Sequence, residues 1–384
     1  MTTPIRAENS LDRAAGIHDM LLRLAGRLPD DLLTGARTLL AEWALDDLAR
    51  MLVATAAAEQ MSLHPRDIEL LAGLLSQAGG DTGPATTLTR LEYDPLPPFV
   101  FQPVTPEQAD AIRQRGATVP AALDLTTQVP PSVDPVDLAA IDTVAAHDGV
   151  LGLWRTWRSP ADGASWPPPR RIYLVEVVDP ADRPQLAHDL QRSLTAAGEM
   201  APQVEVSALG ETPPYYQRAA RGSGALLWAH QPAPVIEHAS VFDIVDPVRG
   251  AMFAPEHPKV TDPAIRDALL RYLDSGFPLM HTTATIHDVV DTSRGAVVPL
   301  NFRTDGIWIW SDVVSYYLRE HHLRPDDELV AHAEQHGWVM PQLDGVAIFR
   351  ALAKLQEPPE DEPVWRFQDE PAGAGHVRGP GDDN

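Results

Sequence analysis

Nine prolines fall within forty-one residues of this chain, at positions 95, 97, 98, 103, 106, 120, 130, 131 and 135. Each removes a backbone donor and holds φ near its own preferred value, so no helix or central strand of ordinary length can run through the stretch. Regular elements are therefore expected on either side of it. Residues 81–150 read as a Pro-rich connector that wraps a neighbour, with Phe99, Val100 and Phe101 as docking residues and Pro106 to Arg115 as one short helix. At 384 residues the chain has room for two or three structural units around this connector.

Before the connector the apolar period is helical. Leu21, Leu22, Leu24 and Leu28 recur at about one turn until Pro29 stops them, and a second segment runs from Asp31 to Glu42. Leu45, Leu48, Met51, Leu52 and Thr55 continue a stripe, and Pro65 to Gln77 shows Ile68, Leu71, Leu74 and Leu75 on one face. Residues 1–80 are read as a helical bundle. After the connector, Arg171 to Val178 reads as a strand, Pro180 to Ala197 as an amphipathic helix, and Gln203 to Ala208 and Ala225 to Ala229 as strands. Residues 151–232 thus make a small mixed α/β sheet unit.

Residues 233–356 read as a C-terminal α+β domain of hairpins and helices. Helices are expected at Asp262 to Asp274, from Ser311 to about His322, at Pro325 to Glu334 and at Gly345 to Leu355. Strands are expected at Val297 to Phe302 and Ile307 to Trp310, joined by a tight turn at Thr304 to Gly306. Residues 357–384 are acidic, rich in Pro and Gly and poor in apolar side chains, the composition of a disordered tail. The fold class is α+β.

This last domain contains an echo at a spacing of 45 residues: Asp243-Ile-Val-Asp-Pro-Val-Arg-Gly250 returns as Asp288-Val-Val-Asp-Thr-Ser-Arg-Gly295. In each copy a β-branched run enters a corner where the second Asp can bond the backbone two residues on and the Gly can take a positive φ. If the two corners converge, Asp243, Asp246, Asp288 and Asp291, with Arg249 and Arg294, are candidates for acid-base chemistry. If they do not, the same residues simply satisfy two turns.

The formal charge is −24, from 54 acidic and 30 basic residues, which disfavours a nucleic-acid ligand and favours a basic or neutral partner. Nearly all positive charge is arginine, and Ala, Pro, Asp and Gly abound, the usage of a GC-rich bacterial genome. There is no cysteine, so disulfides, thiolate metal sites and cysteine nucleophiles are excluded. No run of about 18 apolar residues occurs and the N-terminus has no secretion pattern, so no membrane association and a cytoplasmic location are expected. His332 and His336 stand four apart, but the intervening order HAEQH is not the zincin pattern; no metal, cofactor or catalytic residue is assigned. The loop Pro213-Pro-Tyr-Tyr-Gln-Arg218 is a candidate groove lining, with one tyrosine packed on the proline pair as the simpler reading.

The most distinctive passage runs from Asn301 to His321. Thr304-Asp-Gly-x-Trp-x-Trp310 is followed by Tyr316-Tyr-Leu-x-x-His321 and Pro325-x-x-Glu328-Leu. This pattern resembles one found in uncharacterised actinobacterial proteins. It is also similar to the C-terminal half of immunity proteins that neutralise polymorphic toxins of the secreted NAD-glycohydrolase class, proteins much shorter than this chain. The resemblance implies a non-enzymatic protein-binding factor that docks a basic protein, a toxin among the candidates. From the residue types themselves, since tryptophan and tyrosine dominate protein interfaces, Trp308, Trp310, Tyr316 and Tyr317, with Arg303 and Asp305, are the candidate contacts of an exposed platform. Read from the residues alone, the simpler reading of the same aromatics is core, with one pair facing inward and the other under the following helix. An enzyme or small-molecule binder built on the Asp and Arg corners, and a structural component of a larger bacterial assembly, are the alternatives.

Overall fold

The computed structural model describes residues 4–93, 95–127, 134–164 and 166–357, with side chains described from residue 12 onward. The tail expected over 357–384 lies, from 358 on, outside the described residues. The fold is α+β, with 13 helices among the described residues. Two units emerge: Met1–Ile236 with Pro341–Ala353, and Glu237–Met340 with Lys354–Asn384.

In the first unit, helices α1 (Pro4–Leu24), α2 (Asp30–Ala41), α3 (Leu45–Ala58), α4 (Pro65–Gln77) and the short α5 (Gly83–Thr86) bury one contiguous apolar cluster. Two of them begin at signals in the sequence: Pro29 precedes α2, and His64 accepts from Arg66 N–H ahead of Pro65 at the first turn of α4. Strand β1 (Phe99–Gln102), helix α6 (Pro106–Gln114), strand β2 (Leu123–Asp124) and helix α7 (Pro135–Ala145) follow. Then come β3 (Val150–Pro160), β4 (Arg170–Val177), α8 (Arg183–Ala196), β5 (Gln203–Ala208), α9 (Tyr215–Gly222) and β6 (Ala225–Ala229). The strands form one mixed sheet in the order β2-β6-β3-β4-β5, with β1 also on β3; β4 and β5 run parallel across α8.

The sheet is apolar on both faces with a period of two. Tyr173, Val175, Val204 and Val206 face a cluster with α7 and α8, while Ile172, Leu174 and Trp154 face Phe349 and Val346 of the helix Gly345–Leu355. The stretch read as a connector thus contributes strands and a helix to the sheet. Helix α7 escapes a pattern search because prolines crowd its approach, yet Asp134 accepts from Val136 and Asp137 N–H and Pro135 takes its first turn.

Where α1 crosses β5, His18 is fully enclosed. One ring nitrogen lies 2.7 Å from the Val206 carbonyl oxygen and the other has no partner. Burial above all, and then the Arg183 guanidinium, push its pKa from 6.5 down to about 3. The folded state therefore keeps His18 neutral where the unfolded chain binds a proton. Stability conferred by this site is complete above about pH 6.5 and is lost as pH falls toward 3, at roughly 1.4 kcal/mol per pH unit. Denaturant unfolding of the first unit should steepen its pH dependence below 6.5, and His18→Gln should flatten it; parallel profiles would remove His18 as the cause.

The second unit contains strands β7 (Glu237–His238), β8 (Ile244–Asp246) and β9 (Gly250–Met252), helix α10 (Pro263–Ser275), and strands β10 (Phe277–Met280), β11 (Thr285–His287), β12 (Ala296–Pro299), β13 (Phe302–Thr304) and β14 (Trp308–Ser311). Helices α11 (Asp312–His321) and α12 (Asp327–Gln335) complete it. One four-stranded sheet has the order β10-β13-β14-β7, and β8–β9 and β11–β12 are separate two-stranded ribbons. The strand expected over Val297 to Phe302 is broken, and its halves belong to different sheets. Pro299 offers no ladder donor, and the Asn301 side chain instead accepts from Thr282 N–H and donates to Asp312.

Candidate functional site

The TDG turn is held by its own side chains. Asp305 Oδ1 accepts from the N–H groups of Ile307 (2.9 Å) and Trp308 (2.7 Å), Thr304 Oγ1 donates to the Trp308 carbonyl at 2.7 Å, and Gly306 takes φ +94°. Register pairing runs to Thr304 opposite Ile309, and inside it Asp305 N–H donates to the Trp308 carbonyl at 3.3 Å, which closes the expected tight turn about Gly306. The other oxygen of Asp305 accepts from Tyr272 OH at 2.5 Å and lies 2.9 Å from His332 Nε2. Burial first, then this bond, raises the Tyr272 pKa.

Trp308, Trp310, Asp305 and Tyr317 are all buried, so the exposed aromatic platform is corrected to a core. The reason is geometric: β14 is an interior strand of its sheet, covered on both faces. Trp310 stacks on Tyr272 and donates its indole N–H to the Leu273 carbonyl at 3.2 Å. Gly276 makes that stack possible, since a Cβ there would run into the Trp310 ring. Arg303 bonds Asp312 at 2.6 Å and donates to the Asp274 and Gly276 carbonyls, which closes the end of α10.

Tyr316 and Tyr317, on α11, hold the two echoed segments. Tyr316 OH donates to Asp288 at 3.0 Å, and Tyr317 OH accepts from Val289 N–H at 3.0 Å, both in the second copy. The Tyr317 ring also packs edge-on against Phe242 and Phe253, which bracket the first copy at either leg of the β8–β9 hairpin. Burial pushes the Tyr317 pKa up to about 12. Phe242 and Phe253 were not singled out from sequence; their only signal was symmetric placement about a short β-branched corner.

The copies fold differently. Asp246 and Asp291 each accept from the N–H two residues on, and Gly250 and Gly295 take φ +82° and +75°, as the corner chemistry predicts. Gly250 pairs with Asp246, whereas Gly295 receives the Asp288 N–H. Asp288 is buried against His321 Nε2 (2.6 Å), Tyr316 and two backbone donors; burial opposes its charge, but these bonds outweigh it and hold the carboxyl below its ordinary value. Asp243 instead accepts from Ala254 N–H and His257 Nδ1.

Each carboxylate is therefore satisfied by a separate set of partners. The cavity of about 210 Å³ beside Asp243 is lined by His257, Arg324, Asp326 and Asp327, and not by Asp246, Asp288 or Asp291. Of the paired histidines, His332 is turned to Asp305 and His336 Nδ1 lies against the His332 carbonyl. In the first unit, Pro213 and Pro214 line a cavity of about 360 Å³ with Asp19, Arg23, Arg66 and Glu211. Its charges are largely used: Arg23 pairs with Asp67, and Asp19 and Glu211 share Arg183. Tyr216 is buried edge-on against Phe101, and Tyr215 is exposed.

What stands out on the second unit is the β8–β9 hairpin. Neither strand contains a buried residue, and Ile244, Val245 and Val248 are 46%, 55% and 93% exposed. In the other ribbon, Val290 and Val297 are exposed as well. Among the described residues no helix is long and apolar enough to cross a membrane, and no group of three or more His, Asp or Glu side chains is placed to hold a metal. No family model matches this chain, and comparisons with curated proteins and with solved structures likewise find no match.

Proposed function

We propose that this chain is a non-enzymatic protein-binding factor that docks a basic protein through the Ile244–Met252 hairpin, in the manner of an immunity or antitoxin-like protein. A cytoplasmic setting is part of the proposal. The observation that carries it is the hairpin itself. A two-stranded ribbon is marginal in water, and one that leaves three aliphatic side chains in solvent gains little from folding by burial. This one is anchored at both legs by Phe242, Phe253 and Tyr317, which supports a presented element with open strand edges.

Charge supports the nature of the partner. Residues 237–340 carry 16 Asp and Glu against eight Arg and Lys, a field that steers a basic surface toward the apolar contact. The buried residues Arg303, Asp305, Trp308, Trp310 and Tyr317, with Tyr316, serve in this reading as the scaffold behind the contact.

The test is capture on the immobilised full-length chain from extract of the native cell. The wild type should retain a stoichiometric protein of basic isoelectric point, and Val248→Asp should reduce its retention at least about tenfold with unchanged circular dichroism. Co-expression should relieve any toxicity of that protein, and the variant should not. Equal capture by wild type and variant, or an acidic partner, would overturn the reading.

A further inference from the structure

We propose that His257 is the positioning residue of the docking hairpin and that it positions the hairpin only as the doubly protonated imidazolium. The inference rests on the hairpin being the docking element and adds how its orientation is set. Asp243 immediately precedes β8, and its carboxylate receives Ala254 N–H at 2.6 Å from just beyond β9, which closes the base of the hairpin. His257 Nδ1 lies 2.9 Å from the same oxygen and 3.1 Å from the other. On the far side of the ring, Nε2 lies 2.9 Å from the Arg324 carbonyl oxygen. The ring is thus a strut between the hairpin base and the segment leading into α12.

Donor counting sets its state. A carboxylate and a carbonyl oxygen accept and cannot donate, so each contact needs an N–H from the ring, and a neutral imidazole has one. Asp243 does not supply the missing proton, because the Ala254 N–H above all holds its carboxyl below the ordinary value, with His257 adding to the effect. The groups around the ring are consistent with a cation. From the α11–α12 loop and the start of α12, Arg324, Asp326 and Asp327 line the adjoining cavity. The Arg324 guanidinium is turned onto Asp327 at 2.6 Å. From the hairpin leg the Phe253 ring meets His257 edge-on, with Tyr317 behind it, and Glu256 and Lys259 flank the histidine in sequence.

Loss of one ring proton must therefore break one of the two links, and the hairpin base is released from its support. Hydrogen-exchange mass spectrometry of the free full-length chain, corrected for intrinsic rates, reads this without any partner. Peptides covering 243–257 should exchange at least about tenfold faster once the ring is singly protonated, the size of one lost charge-assisted bond. Nitrogen-15 spectra of the histidine-labelled protein assign that transition to His257. His257→Gln and Asp243→Asn should both remove the pH dependence of these peptides while leaving α10 and α11 protected.

The same pH profile in wild type and both variants would overturn the proposal, as would a singly protonated ring in a sample whose hairpin is protected. Either result leaves the docking reading standing. Unchanged capture by Val248→Asp sinks the docking reading and leaves the exchange result intact.

Discussion

Replacing Trp310 with alanine should destabilise the second unit by about 3 to 5 kcal/mol, the usual cost of deleting a large aromatic from a packed core. Trp310 is 1% exposed, stacks on Tyr272 and holds a hydrogen bond to the end of α10 through its indole nitrogen. Denaturant unfolding with peptide-resolved hydrogen exchange over α10 and β13–β14 measures the loss. Gly276 sharpens the test. Gly276→Ala alone forces a Cβ against the Trp310 ring and should be costly, whereas in the Trp310→Ala background the same change should cost less, since only the Arg303 Cβ, at 3.1 Å, then crowds it. Additive effects would show that the close approach of Gly276 to the indole contributes no coupling.

A loss of the same size is expected in the first unit from Arg37→Met. Arg37 and Glu205 are each 1% exposed and lie 2.7 Å apart, with Gln217 donating to the second Glu205 oxygen at 2.9 Å. Removing the arginine leaves a carboxylate in the interior with one neutral donor, at about 3 to 5 kcal/mol. The double variant Arg37→Met/Glu205→Leu should recover most of it, because an apolar pair needs no solvation. If the single variant loses less than about 1 kcal/mol, the pair is not what holds α2 on β5.

Much of the architecture was legible because its signals are local. Helix α4, strands β5 and β6 and the helix Gly345–Leu355 occupy the spans expected of them, where caps, prolines and alternation all lie within the element. Failures occurred where local signals conflict. The prolines that mark 81–150 as irregular also hide α7, although Pro135 starts that helix. The β-branched run around Val298 looks continuous, yet Pro299 hands it from one sheet to another.

The candidate site was legible in part and for a different reason. Tyr316 and Tyr317 were singled out as partner contacts and instead meet the echoed segments, a role that depends on partners 22 residues or more away. His257 carried no signal, because it stands 14 positions after Asp243 and nothing in the intervening sequence encodes their meeting.

By itself the sequence determined that this is an α+β chain without cysteine chemistry, and that two corners end in glycines with positive φ. Those properties follow from steric and hydrogen-bonding preferences that act over a few residues. Only the tertiary structure decided that the tryptophans face inward, that the echoed carboxylates take separate histidines, and that an aliphatic hairpin is left in solvent. Which face of a strand is covered, and which distant donor reaches a carboxylate, depends on the packing of elements remote in the chain, and no short-range pattern specifies it.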